Sequence, residues 1–112
     1  MIFVTGPLFA GKREYIRTAL GWTEEDLAQR AVWDVQDLAA GQAEDLEVLA
    51  QTLAHHEVVI ATEVGGGVVP VSAHQRQSRE AAGRLACLLA QRAEVVVRVC
   101  CGLPQVLKGE QP

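Results

Sequence analysis

The chain has 112 residues, 49% of them apolar and only 4% aromatic, and a net charge of −4 at pH 7. That length suits one domain spanning residues 1–112, with an aliphatic core large enough to fold without metal or disulfide support. The negative balance speaks against a nucleic-acid partner, and the short, interrupted apolar runs speak against a membrane span.

Ile2-Phe3-Val4-Thr5 reads as a first strand, interrupted by the segment from Gly6 to Gly11. Lys12 to Leu20 reads as a helix stopped by Gly21, the residue that best adopts the left-handed turn at a helix end. Thr23 is placed to cap a short helical piece that carries Glu24, Glu25 and Asp26 near its positive end. Ala31 to Val35 is a second strand. Gly41 opens a helix with Leu46, Leu49 and Leu53 on one face. Glu57 to Thr62 is rich in β-branched residues and nearly uninterrupted, as a strand buried on both faces must be.

A glycine-rich loop from Glu63 to Pro70 follows. Ser72 and Gln75 then stand at capping-box spacing before a helix running to about Arg92, with Ala82, Leu85 and Leu89 facing inward. Glu94 to Cys100 is the last strand. Gly102 and Pro104 end it, leaving a tail that is loose after Lys108. The alternation of strands and helices implies an α/β architecture: a mainly parallel sheet between two helical layers. Cys87, Cys100 and Cys101 are odd in number, and the last two are neighbours that point to opposite faces of a strand. They read as small core residues in a reducing compartment. With no basic leader in Met1 to Gly6, a cytoplasmic location is expected.

The chemistry-bearing segment is Gly6-Pro7-Leu8-Phe9-Ala10-Gly11-Lys12, which matches G-x-x-x-x-G-K between a strand and a helix. Glycines at this spacing let successive N–H groups point into one concavity, and the helix N-terminus adds partial positive charge. Lys12 then reaches the outer phosphates of a nucleotide, with Gly6, Pro7, Ala10 and Gly11 forming the cradle. The position after the lysine ordinarily carries a hydroxyl that ligates Mg²⁺; here it is Arg13. Either the metal is held by waters and a carboxylate elsewhere, or Arg13 supplies charge itself, or the site binds without turnover. Glu63, at the end of an apolar strand, is the candidate metal carboxylate. Asp34, in the second strand, is a weaker candidate that reads rather as an ordinary solvated strand residue.

In order, MIFVTGPLFAGKREYI, EVGGGVVP, RQSREAAGRLACLLA and EVVVRVCCGLP resemble the bifunctional adenosylcobinamide kinase / adenosylcobinamide-phosphate guanylyltransferase family. The resemblance covers residues 1–20 and 57–108 and implies a P-loop NTPase-like three-layer fold with a role in cobalamin biosynthesis. It further implies GTP or ATP as cofactor, phosphoryl transfer to a corrinoid alcohol, and a homo-oligomer. Gly6, Gly11, Lys12, Glu63, Val64, Gly65, Gly67, Pro70, Arg76, Arg79 and Gly83 fall on the family pattern, whereas Thr62, Glu80 and Ala86 depart from it.

The stretch between Gly21 and Glu57 is short for the family, and Trp22 to Val32 lacks the histidine that the family guanylylates. His55 and His56 are expected at the sheet end opposite the phosphate loop, and His74 in the first turn of the long helix. Arg76 and Arg79, three apart, form one side of that helix. They either meet an anionic ligand or make a solvated basic face with Glu80. The expected catalytic pair is Lys12 and Glu63. The alternative is a nucleotide-binding regulatory or scaffolding module without catalysis.

Overall fold

The central strand of the sheet is the first one in the chain. In the computed structural model, which describes residues 1–39, 45–64 and 72–112, β1 (Ile2–Gly6) runs parallel to β3 (Val58–Thr62) on one side and β4 (Val95–Cys100) on the other. A short β2 (Ala31–Val32) adds parallel to β3, and β5 (Leu103–Lys108) adds antiparallel to β4. The order is β2-β3-β1-β4-β5. This is the expected mainly parallel α/β sheet.

Alternation along the strands sorts the core into two layers. Val4, Ile60, Val97 and Val99 face α1 (Lys12–Leu20) and α2 (Glu24–Arg30), packing with Ile16, Trp22 and Leu27. Phe3, Val59, Ala61 and Val96 face the other way, toward α3 (Gln36–Ala39), α4 (Leu46–Leu53) and α5 (Ala73–Arg92), which contribute Ala39, Leu53, Leu85 and Leu89. Because β3 is covered on both faces, Val58, Val59 and Ile60 are completely buried. Each such side chain stabilises the fold by roughly 1.5–3 kcal/mol.

The helix ends follow local chemistry. Thr23 Oγ1 accepts from the Asp26 N–H at 3.1 Å while Asp26 Oδ2 accepts from the Thr23 N–H at 2.9 Å. This reciprocal cap starts α2 and holds the Asp26 carboxyl below its ordinary range, chiefly through the backbone hydrogen bond. Ser72 Oγ accepts from the Gln75 N–H at 3.1 Å to start α5, and Gly21 ends α1 in the left-handed conformation.

Two elements differ from expectation. β2 stops at Val32 instead of Val35, because Asp34 takes a left-handed φ of 52° and turns the chain off the sheet edge. Val35 then drops into the core and α3 begins. Gly41, expected to open a helix, lies outside the described residues, as does most of the loop from Glu63 to Pro70; the described part of the helix is Leu46–Leu53.

Leu103–Lys108, where Gly102 and Pro104 were expected simply to end the last strand, forms β5. Cys101 (φ 54°) and Gly102 (φ 74°) are both left-handed, which makes the two-residue turn that suits a twisted hairpin. Pro104 lies opposite Val99, one step from the closing pair Cys100–Leu103, so its nitrogen faces away from β4 and no ladder bond is lost. Lys108 Nζ fastens the far end by donating to the carbonyls of Ala90 and Gln91, each at 3.0 Å, at the negative end of α5. Among the described residues no helix is long and apolar enough to cross a membrane.

Candidate functional site

The loop that leaves β1 can exist only with glycine at its first position. Gly6 has φ 155°, and a Cβ there would lie 2.1 Å from the carbonyl oxygen of Val99 on β4. The loop then crosses the C-terminal ends of the parallel strands, the side on which α/β sheets bind ligands. It turns through Phe9 (φ 59°) and Gly11 (φ 91°) into α1. The β4–β5 turn braces it from below, since the Gly102 N–H donates to the Ala10 carbonyl at 2.7 Å. Gly11 supplies no side-chain cap to α1, so the first N–H groups of the helix stay available to a ligand.

Among the described residues Lys12 is the only charged one that is buried, at 8% exposure. Its Nζ donates to the carbonyls of Gly6 (3.1 Å) and Pro7 (2.7 Å), which holds the ammonium at the mouth of the loop. Burial pushes its pKa below the ordinary 10.5, while the charges of Asp34 and, less strongly, Glu63 pull it back.

Ala10, Gly11 and Lys12 line a cavity of about 230 Å³ together with Trp33, Asp34 and Thr62. Asp34, the weaker carboxylate candidate, is exposed as expected and lines the loop's own cavity. It is also fixed. Its Oδ1 accepts from Thr62 Oγ1 at 2.9 Å and from Gln36 Nε2 at 3.4 Å, and Gln36 Oε1 accepts from the Thr62 N–H at 2.9 Å.

Glu63 is placed differently from the metal-facing carboxylate that its position suggested. Its N–H donates to the Gly6 carbonyl at 2.9 Å, which ties it to the loop's first residue. Both carboxylate oxygens, however, accept from Arg98, from Nε at 2.5 Å and Nη2 at 2.9 Å. That fork raises the pKa of Arg98, mainly through the hydrogen bond to Glu63, so the guanidinium stays charged.

Arg13 pairs with Glu24, with Arg17 also on that carboxylate, and its guanidinium lies 6.0 Å from the centre of the Trp33 ring. Arg76 is exposed in the first turn of α5. Arg79 is half-buried and lines a second cavity with Glu63, not the one at the loop.

His55 and His56 lie just ahead of β3, at the sheet end opposite the loop, and His56 Nδ1 sits 3.1 Å from the Leu53 carbonyl. His74 is exposed. Cys87 and Cys101 are also exposed, against the expectation of core residues, and only Cys100 is half-buried. Among the described residues no three His, Cys, Asp or Glu side chains converge as a metal cage. Thr62 had stood out only as a departure from the family pattern, and Gln36 and Arg98 not at all. Of the last two, Arg98 left a trace: a cation inside the apolar run Val95 to Cys100.

Helix N–H groups and a held ammonium are donors suited to an anion, whereas the fixed Asp34 carboxylate in the same cavity is suited to a cation. A protein-family model described as cobinamide kinase / cobinamide phosphate guanyltransferase matches residues 19–107. The match begins inside α1, so the phosphate loop lies ahead of it and is a separate line of evidence. No curated protein matches the chain.

Proposed function

The chain belongs to the cobinamide kinase / cobinamide phosphate guanyltransferase family, and from that premise we propose that residues 1–112 form one nucleotide-binding domain that takes GTP or ATP on the Gly6–Lys12 loop. It transfers the γ-phosphoryl group to the hydroxyl of a corrinoid alcohol and makes no guanylyl-enzyme. The observation that carries this reading is Lys12, a buried ammonium anchored on its own loop and lining a cavity with Asp34.

The β- and γ-phosphates would replace the two carbonyls as partners of Nζ, while the N–H groups at the start of α1 hold the oxygens. A cation at that point stabilises the charge spread over the phosphoryl group as it transfers. Mg²⁺ held at this point would supply further positive charge against the phosphates. Asp34, aimed by Thr62 and Gln36, is the carboxylate to hold it, since both oxygens of Glu63 are engaged by Arg98. The absence of a guanylyl step rests on the histidines. His55 and His56 belong to the far end of the sheet, and Trp22 to Val32 contains none.

Thermal unfolding with GTP or ATP tests the binding step. Nucleotide at 100 times its Kd adds roughly 2.7 kcal/mol of stability, and Lys12→Ala abolishes the gain. No stabilisation of the wild-type protein by either nucleotide, with Mg²⁺ present, refutes it. Intact mass after incubation with GTP, measured without acid, should show no GMP adduct. One observation favours a second reading, a nucleotide-binding module without turnover: Arg13 occupies the place of the metal-binding hydroxyl. Phosphorylation of adenosylcobinamide by the purified protein separates the two.

A further inference from the structure

The hairpin turn that braces the phosphate loop carries two thiols in a row. β4 ends at Cys100, which is half-buried, and Cys101 is the first residue of the turn, exposed and left-handed at φ 54°. Gly102 (φ 74°) completes the turn, and Cys100 and Leu103 pair to close it. The turn touches the loop directly. Its Gly102 N–H donates to the Ala10 carbonyl at 2.7 Å, and a Cβ on Gly11 would lie only 3.2 Å from the Gly102 Cα.

A second tie runs through Cys100. Arg98 stands two residues earlier in β4 and therefore on the same face. Its guanidinium, forked onto Glu63, also donates a hydrogen bond to the Cys100 sulfur. The Glu63 N–H in turn donates to the Gly6 carbonyl. Both Gly6 and Ala10 of the loop are thus connected to this turn, one by way of Cys100 and the other by the residue after Cys101.

Resting on the nucleotide-binding reading above, we propose that Cys100 and Cys101 form a thiol modification site, a vicinal dithiol that a small disulfide oxidises to a Cys100–Cys101 bridge, loosening the phosphate loop. The exposed Cys101 sulfur gives up its proton and bonds to one sulfur of the small disulfide as that S–S bond breaks, and the first small thiol leaves with a proton. The Cys100 sulfur then gives up its proton, bonds to the Cys101 sulfur and expels the second small thiol. The protein loses two electrons and two protons, and the small disulfide is reduced to two thiols.

The bridge and the present turn exclude one another. Adjacent Cα atoms lie about 3.8 Å apart across a trans peptide, closer than the roughly 4.4–6.8 Å that a disulfide favours. Closing the ring therefore forces rotation beside the Cys100–Cys101 peptide, at the bonds that set the left-handed Cys101 and aim the Gly102 N–H at Ala10. It also draws the Cys100 sulfur away from Arg98. Strained, exposed disulfides are the easily reduced ones, so small thiols reverse the change.

The test uses the whole chain reduced with dithiothreitol, treated with oxidised glutathione, and treated then reduced again. Intact mass and peptide mapping should show the treated protein lighter by two hydrogens, with Cys100 joined to Cys101. Calorimetry with GTP and ATP should show binding weakened by about tenfold, the order of one lost brace hydrogen bond, and restored by reduction. Hydrogen exchange at the Gly102 N–H, followed without nucleotide, should be faster in the bridged protein. Cys87→Ser should respond as the wild type does. Cys100→Ser should trap one glutathione on Cys101, form no bridge and bind nucleotide as the reduced wild type does.

A bridged wild-type protein that binds nucleotide as tightly as the reduced one overturns the proposal. So does a treated protein that carries glutathione adducts and no bridge, or a bridge that leaves exchange at Gly102 unchanged. Reduced wild-type protein that binds neither nucleotide overturns the nucleotide reading instead, and exchange at Gly102 still decides whether the bridge frees the turn.

Discussion

Gly6→Ala is the sharpest probe of the phosphate loop. The new Cβ would lie 2.1 Å from the Val99 carbonyl oxygen, where ordinary contact begins near 3.4 Å. Loop and β4 must therefore separate by more than an ångström, and φ 155° adds backbone strain for any residue with a side chain. Neither partner gives easily. Val99 is fully buried in the core, and the Gly6 carbonyl is held by both the Glu63 N–H and the Lys12 ammonium.

Overpacking of this kind costs about 1–3 kcal/mol of stability. The larger effect falls on the ligand. An ångström-scale shift of the cradle relative to Lys12 and Asp34 should weaken nucleotide binding by about 100-fold, the magnitude typical of such misplacement. Urea denaturation gives the first quantity and calorimetric titration with GTP the second. A Gly6→Ala protein with wild-type stability and wild-type affinity would show that the loop does not sit against β4 as described.

Two further outcomes follow from the same site. Burial holds the Lys12 pKa below 10.5 in the free protein, and phosphate beside it favours the charged form, so binding takes up a proton in the alkaline window below 10.5. Nucleotide affinity should therefore fall as pH rises through that window, and Lys12→Ala should flatten the profile in titrations from neutral to alkaline pH. Arg13 is engaged with Glu24 in a half-exposed pair, so Arg13→Ser should change stability by less than about 1 kcal/mol. The same substitution restores a hydroxyl beside Lys12 and should make affinity more dependent on Mg²⁺, as read by calorimetry with and without EDTA.

What the sequence makes legible is what neighbours in the chain decide. Gly6, Gly11 and Lys12 mark the loop because strand, turn and helix must succeed one another there. Gly21, Thr23 and Ser72 mark helix ends by bonds that span three or four residues. The continuous apolar run at Val58–Thr62 announces a strand covered on both faces.

The rest depends on distant partners. Asp34 reads as only a weak candidate because its fixing hydroxyl, on Thr62, lies 28 residues away. The Glu63–Arg98 fork joins positions 35 residues apart. Gly102 and Pro104 look like terminators, yet paired with a left-handed Cys101 and an outward-facing register they build a hairpin. The same residue types end a strand or reverse it, depending on what lies alongside.

The central place of β1 also fixes an order of events during synthesis. Ile2 pairs with Val58 on one side and Val95 on the other, and the loop's Ala10 carbonyl is clasped by the Gly102 N–H. Every partner of the first strand is made later than the strand itself, at long loop-closure distance. The Gly6–Lys12 loop is thus made before the residues that brace it, Gly102 among them. A nascent chain halted before Gly102 carries the loop's full sequence without the brace that shapes it.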